Sequence, residues 1–138
     1  MFKHFIFIIT VAFGSIAFGQ DVNLNIEIEG IKSENGKILF SVYSGKKGFP
    51  GDVSKAVKKG IAHIENGKAN VHLNLPAGEY AISVIHDEDD NNKLKTNWFG
   101  MPKEGVGNSN NHKGFPSYKK SVFKLVKNKT IVIDLWYM

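Results

Sequence analysis

The chain has 138 residues, 42% of them hydrophobic, and no cysteine. That length fits one domain with a real core and excludes a disulfide-stapled scaffold. After residue 20 no run approaches the roughly 20 apolar residues of a membrane-spanning helix, so a helical integral membrane protein is excluded. All 18 basic residues are lysine, giving a formal net charge of +5. They are scattered without a long run, and nucleic-acid sites favour clustered arginine forks. A nucleic-acid partner is therefore not expected.

The apolar residues are unevenly placed. Lys3 and His4 form a basic start, Phe5 to Phe18 an apolar stretch, and Ala17-Phe18-Gly19 a small-residue step before Gln20. This is the three-part pattern of a secretory signal peptide. It predicts a cleaved leader over 1–19 and a mature domain over 20–138, periplasmic or extracellular, without stable membrane insertion. No cysteine follows the step to carry a lipid.

Strand-type alternation then runs along the chain. Val22, Leu24, Ile26 and Ile28 alternate with polar residues at a period of two. Ile38, Phe40 and Val42 continue it after the turn Asn35-Gly36. Gly51 to Lys59 reads as a single helical turn closed by Gly60. Ala62 and Ile64 lead to Asn66-Gly67, a strong hairpin signal, and Ala69, Val71, Leu73 and Leu75 leave it. Pro76-Ala77-Gly78 turns into Tyr80, Ile82 and Val84. Val122 to Val126 and Ile131 to Tyr137 flank Lys127-Asn128-Lys129. The expected product is a single antiparallel β-sandwich of about seven strands, immunoglobulin-like or transthyretin-like.

Asp87 to Ser117 breaks the rhythm, with four glycines and six asparagines. A loop this long inside a compact domain is functional or disordered. Trp98, Phe99, Met101 and Phe115 favour an ordered excursion. Asp87, Asp89 and Asn91 hold positions one, three and five of a calcium loop, and Lys93 offers its carbonyl at seven. Asn92 stands at the turn position, where asparagine tolerates positive φ. Trp98 stands where a bidentate glutamate is expected, and Glu104 is the substitute if its loop folds back. His86 shares a face with Ile82 and Val84, the setting of a structural histidine that orients its neighbour. A triad of Ser109, His86 and Asp87 fails because adjacent strand residues point to opposite faces and Ser109 lacks a nucleophile elbow. Zinc ligation by the histidines has no supporting spacing. The run from Phe99 to Asn111 has the wrong glycine spacing for a phosphate loop. Its glycines suit tight bends, and its asparagines suit a polar ligand such as a sugar.

Leu75-Pro76-Ala77-Gly78-Glu79-Tyr80, His86-Asp87-Glu88, Lys93-Leu94, Thr96-Asn97 and Phe99-Gly100-Met101-Pro102-Lys103-Glu104-Gly105 resemble the domain of unknown function 2141 family. So do Gly107 to Asn111 and Phe115-Pro116-Ser117, and the likeness covers Asp21 to Tyr137. The resemblance implies an exported bacterial β-sandwich and no assigned activity. The family pattern carries glycine where Asn92 stands and aspartate where Lys95 stands, which places a cation beside the calcium loop.

The combined expectation is an exported, non-enzymatic binding module. Its candidate ligand contacts are His86, Trp98, Glu104 and Asn110. Its candidate Ca²⁺ ligands are Asp87, Asp89, Asn91 and Lys93. The partner is a small polar ligand or an envelope component, and the alternative is a structural or adhesive envelope protein. Mass spectrometry of the exported protein is expected to give a chain starting at Gln20, and a chain starting at Met1 would overturn the leader.

Overall fold

Inward Leu24, Ile26 and Ile28 alternate with outward Asn23, Asn25 and Glu27 along β1 (Val22–Glu29), so one face of this strand must be covered. In the computed structural model, which describes residues 20–93 and 103–138, that cover is a second sheet. The leader lies outside the described residues, as do Trp98, Phe99 and Met101. The remaining strands are β2 (Lys37–Tyr43), β3 (Lys58–Ala62), β4 (Ala69–Leu75), β5 (Gly78–Asp87), β6 (Val106–Asn108), β7 (Phe123–Leu125) and β8 (Lys129–Asp134). The helical turn expected after Gly51 is the 3-10 turn Val53–Lys55, shorter than expected, because Lys58 to Gly60 already belong to β3. One further helical turn, α1 (Tyr118–Ser121), is capped by the Ser117 hydroxyl accepting from Lys120 N–H at 3.3 Å.

Three strands form one sheet in the order β4-β1-β8, and the other runs β3-β2-β5-β6 with β7 paired to the start of β5. Leu24, Ile26 and Ile28 meet Ile38, Val42, Ile82, Val84, Ile131 and Ile133 in one apolar cluster between the sheets. The fold is thus the expected all-β sandwich, with two corrections. First, β1 and β8 pair in parallel, Ile26 opposite Ile131. They come from the two ends of the chain, so no hairpin dictates their direction. Second, the Asn66-Gly67 turn closes only the bridge Glu65 to Lys68, with both turn residues at positive φ. β3 and β4 then part to opposite sheets, where Ile38 takes Ala62 and Ile28 takes Ala69.

The additional strand is β6, which lies inside the excursion. Its residues pair with Ser83 to Ile85 of β5, while Val106 exchanges hydrogen bonds of 3.0 and 2.9 Å with Trp136. β6 therefore ties one sheet to the extension of the other. Gly105 and Gly107 make this possible by lacking a side chain. A Cβ on Gly105 would sit 2.4 Å from the Tyr137 ring, and one on Gly107 would sit 2.6 Å from Ile133 Cγ2. Neither adopts a positive φ, so these glycines provide close approach and not the tight bends expected of them. Among the described residues no helix is long and apolar enough to cross a membrane. Gly107→Val is expected to destabilise the fold by about 1–3 kcal/mol through overpacking against Ile133 and Leu135. Urea denaturation checks this, and an unchanged midpoint would show that β6 does not seal the core.

Candidate functional site

At the end of β5 the chain places two ionisable side chains on opposite faces. His86 points inward, as its alternation with Ile82 and Val84 requires, and is fully enclosed. Its Nε2 lies 2.7 Å from the Asn35 carbonyl oxygen, which can only accept, so Nε2 carries the proton. In the neutral ring Nδ1 then accepts from the Tyr137 hydroxyl at 2.7 Å, and that oxygen accepts from Lys32 N–H at 3.2 Å. Glu88 Oε1 stands 3.6 Å from the same Nδ1. Both ring nitrogens of this candidate ligand contact are thus occupied by the protein. His86 joins the first turn of the chain to its C-terminal end.

Asp87 faces the other way, yet it too is fully buried. The turn that follows wraps it: Asn91 N–H donates to Oδ1 at 3.2 Å and Asn92 N–H to Oδ2 at 2.8 Å. Asn92 adopts the positive φ anticipated for it, at 61°, and Asp90 does the same at 57°. Lys37, in register with Asp87 across β2 and β5, brings Nζ to 4.0 Å from Asp87 Oδ2 and 3.6 Å from Asp90 Oδ1. Carboxylate oxygens of Asp87, Asp89 and Glu104 all lie within 4.8 Å of one another. Glu104 is only 4% exposed, because Gly105 next to it is held to β5 by its carbonyl accepting from His86 N–H at 2.8 Å. Glu104 therefore folds back toward Asp87 and Asp89. Of the other candidate metal ligands, Asn91 closes its own turn, its Oδ1 accepting from Lys93 N–H at 2.8 Å, and Lys93 is exposed. Among the described residues it is carboxylates that converge, not histidines.

Asn108, Asn110 and Asn111 of the excursion turn their side chains to backbone. Asn108 Oδ1 accepts from the N–H groups of Asn110 and His112 at 3.2 and 3.1 Å. Asn110, a candidate ligand contact, donates its amide to the carbonyls of Lys120 and Val122 at 3.0 and 2.9 Å. Asn111 accepts from Asp134 N–H at 2.8 Å and donates to the Val132 carbonyl at 3.1 Å, along the outer edge of β8. Ser109 is similarly engaged. Its buried hydroxyl accepts from Ile82 N–H at 3.0 Å and donates to the Ser121 carbonyl, so it makes no contact of the kind a nucleophile makes with His86. Sequence reasoning missed Lys37, Asn35 and Tyr137. Only the β2–β5 register, and a C-terminal end folded onto the first turn, bring them to this site.

The class so defined is a β-sandwich with a buried histidine–tyrosine link and a carboxylate cluster at one end of its central strand. The chain belongs to the family of uncharacterized proteins conserved in bacteria known as DUF2141, whose model matches residues 26–133. No curated protein and no solved structure matches it.

Burial raises the Tyr137 phenol above its ordinary 10.0; the Lys32 N–H pulls the other way and the Glu88 charge adds to the rise. Burial also raises Tyr80 and Tyr118. A group that holds its proton more tightly when folded stabilises the fold below its unfolded pKa and loses that effect as pH rises through the folded one. Stability is therefore expected to decline above about pH 10. Tyr137→Phe is expected to reduce that decline and to cost roughly 1–3 kcal/mol at neutral pH, because His86 Nδ1 and Lys32 N–H lose a partner. Urea denaturation across pH tests both, and parent-like stability at pH 7 would show the link to be slack.

Proposed function

We propose that this protein is an exported, non-enzymatic binding module. Its ligand face is the 87–111 excursion, held in shape by a structural Ca²⁺ at Asp87, Asp89 and Glu104. The observation carrying this reading is the convergence of three carboxylates within 4.8 Å, two of them almost wholly buried. Ca²⁺ binds oxygens at about 2.3–2.6 Å, so two ligands across one ion stand about 5 Å apart at most. The observed spacing falls within that span. A cation there would clamp the turn after β5 to the segment before β6, bringing both sides of the excursion to one place. Export rests on the leader pattern, and Trp98 adds an aromatic platform by sequence.

A second reading is a structural envelope component whose excursion only packs. The engagement of the Asn108, Asn110 and Asn111 amides with backbone favours it.

Thermal melts separate the two. A ligand binding only the folded state raises stability by about 2.7 kcal/mol at a hundredfold excess over Kd. Millimolar Ca²⁺ is expected to raise the Tm, EDTA to reverse the rise, and Glu104→Gln with Asp89→Asn to abolish it. A Tm indifferent to Ca²⁺ would sink the cation and leave the packing reading.

A further inference from the structure

Asparagine is depleted from β-strands, because its short amide competes for backbone hydrogen bonds and packs poorly on a pleated surface. Four of the seven outward positions on β1 and β4 nevertheless carry it: Asn23, Asn25, Asn70 and Asn74, beside Glu27, Glu29 and His72. The strand register sets several of these side by side. Asn23 stands opposite Asn74, Asn25 opposite His72, and on the other flank Asn25 is in register with Thr130 of β8. At the corner, Asn128 Oδ1 accepts from Asn23 N–H at 2.9 Å and so adds one rung to the ladder just before β8 begins.

These side chains differ from those of Asn108, Asn110 and Asn111 in one decisive respect. Among the described residues, the side chains of Asn23, Asn74, His72 and Thr130 make no hydrogen bond within the protein, whereas those of Asn108, Asn110 and Asn111 are all used. Asn25 Nδ2 reaches Glu27 at a long 3.5 Å, while its Oδ1 is shielded from solvent and has no partner. A shielded acceptor without a donor is costly unless something supplies one. The same six residues, Asn23, Asn25, His72, Asn74, Asn128 and Thr130, line a groove of about 510 Å³ on this face. That volume is within the range of ligand clefts, roughly 300–1,000 Å³.

The lining chemistry narrows the ligand. Amide and hydroxyl groups both donate and accept, so the grid complements a ligand whose own groups do both. Among the described residues Lys129 is the one charged side chain at the groove and the His72 imidazole the one ring, which disfavours an anion held by paired charges and an apolar ligand held by a broad stacking platform. Strand spacings of about 4.8 Å across and about 6.8 Å along give the grid the reach of a disaccharide-sized unit. We infer that the outer face of the β4-β1-β8 sheet is a binding site for a neutral, hydroxyl-rich glycan. It sits at the start of β1, at the opposite end of that strand from Lys32 and the Asp87 cluster. It goes beyond the proposed Ca²⁺-held face and stands or falls separately from it.

The test is an amide-resolved NMR titration of the protein with cellohexaose, maltohexaose and chitohexaose, and with dextran sulfate as a charged counterpart. At least one neutral hexasaccharide is expected to shift resonances of 22–25, 72–74 and 128–130 saturably, in EDTA as in Ca²⁺. The double variant Asn25→Ala, Asn74→Ala is expected to weaken that binding by at least about tenfold, the loss of two ordinary hydrogen bonds. Its Tm should not fall below the parent's, because neither side chain bridges elements of the fold and the variant removes the partnerless Asn25 Oδ1. Three results would overturn the proposal: no shifts on this face with any neutral hexasaccharide at tens of millimolar, shifts that survive the double variant, or binding confined to dextran sulfate and abolished by salt.

Discussion

Burial of both faces of β5 governs the rest of the structure. A strand that faces a core on one side and solvent on the other can leave its outward residues to water. β5 cannot, because Tyr80, Ala81, Ile82, Ser83, Val84, His86 and Asp87 are all buried. Each polar group along it must then be matched by protein. The Ser109 hydroxyl takes Ile82 N–H, the Gly105 carbonyl takes His86 N–H, Asn35 and Tyr137 take the imidazole, and the turn at Asn91-Asn92 takes the Asp87 carboxylate. The excursion is therefore the second cover of the central strand. That explains how a stretch poor in apolar groups can hold its place against the sheet. It is held by hydrogen bonds to a strand that has no water to turn to.

The sandwich was legible in the sequence because alternation is a local signal. Leu24, Ile26 and Ile28 announce an inward face whatever lies opposite, and so do Val71 and Leu75. β6 was illegible for the same reason. Three residues, Val-Gly-Asn, cannot establish a period, and its inward position is a glycine whose meaning depends on Ile133 and Leu135 being close. Direction was also hidden: nothing local to Val22–Glu29 or Lys129–Asp134 states that these strands run parallel. At the candidate site, the spacing of Asp87 and Asp89 was readable and so was Glu104 as a distant third. Lys37 was not, since only the pairing of β2 with β5 brings it to Asp87.

Residue type misled in an instructive way. Asparagines in a loop look like ligand donors, and asparagines on an alternating strand look like ordinary outward polar positions. The structure distributes the work differently. The loop amides at 108, 110 and 111 act as pieces of backbone, whereas the strand amides at 23 and 74 leave their hydrogen-bonding capacity facing outward. An amide side chain carries one donor and one acceptor arm, like a peptide group. Where it meets unpaired backbone it completes a ladder, and where the backbone is already paired it remains available to a ligand.

Asn111 carries this furthest. By accepting from Asp134 and donating to Val132 it imitates one residue of a missing neighbour strand along the free edge of β8. Unpaired edges are templates on which another chain can add and fibrils can grow. β3 guards its own edge with Lys58 and Lys59 and β8 carries Lys129 and Asp134 at its two ends, while the backbone of Val132 and Asp134 is covered by the uncharged Asn111 side chain. The colloidal stability of a lysine-rich domain that has no disulfide to hold it closed therefore rests in part on one amide.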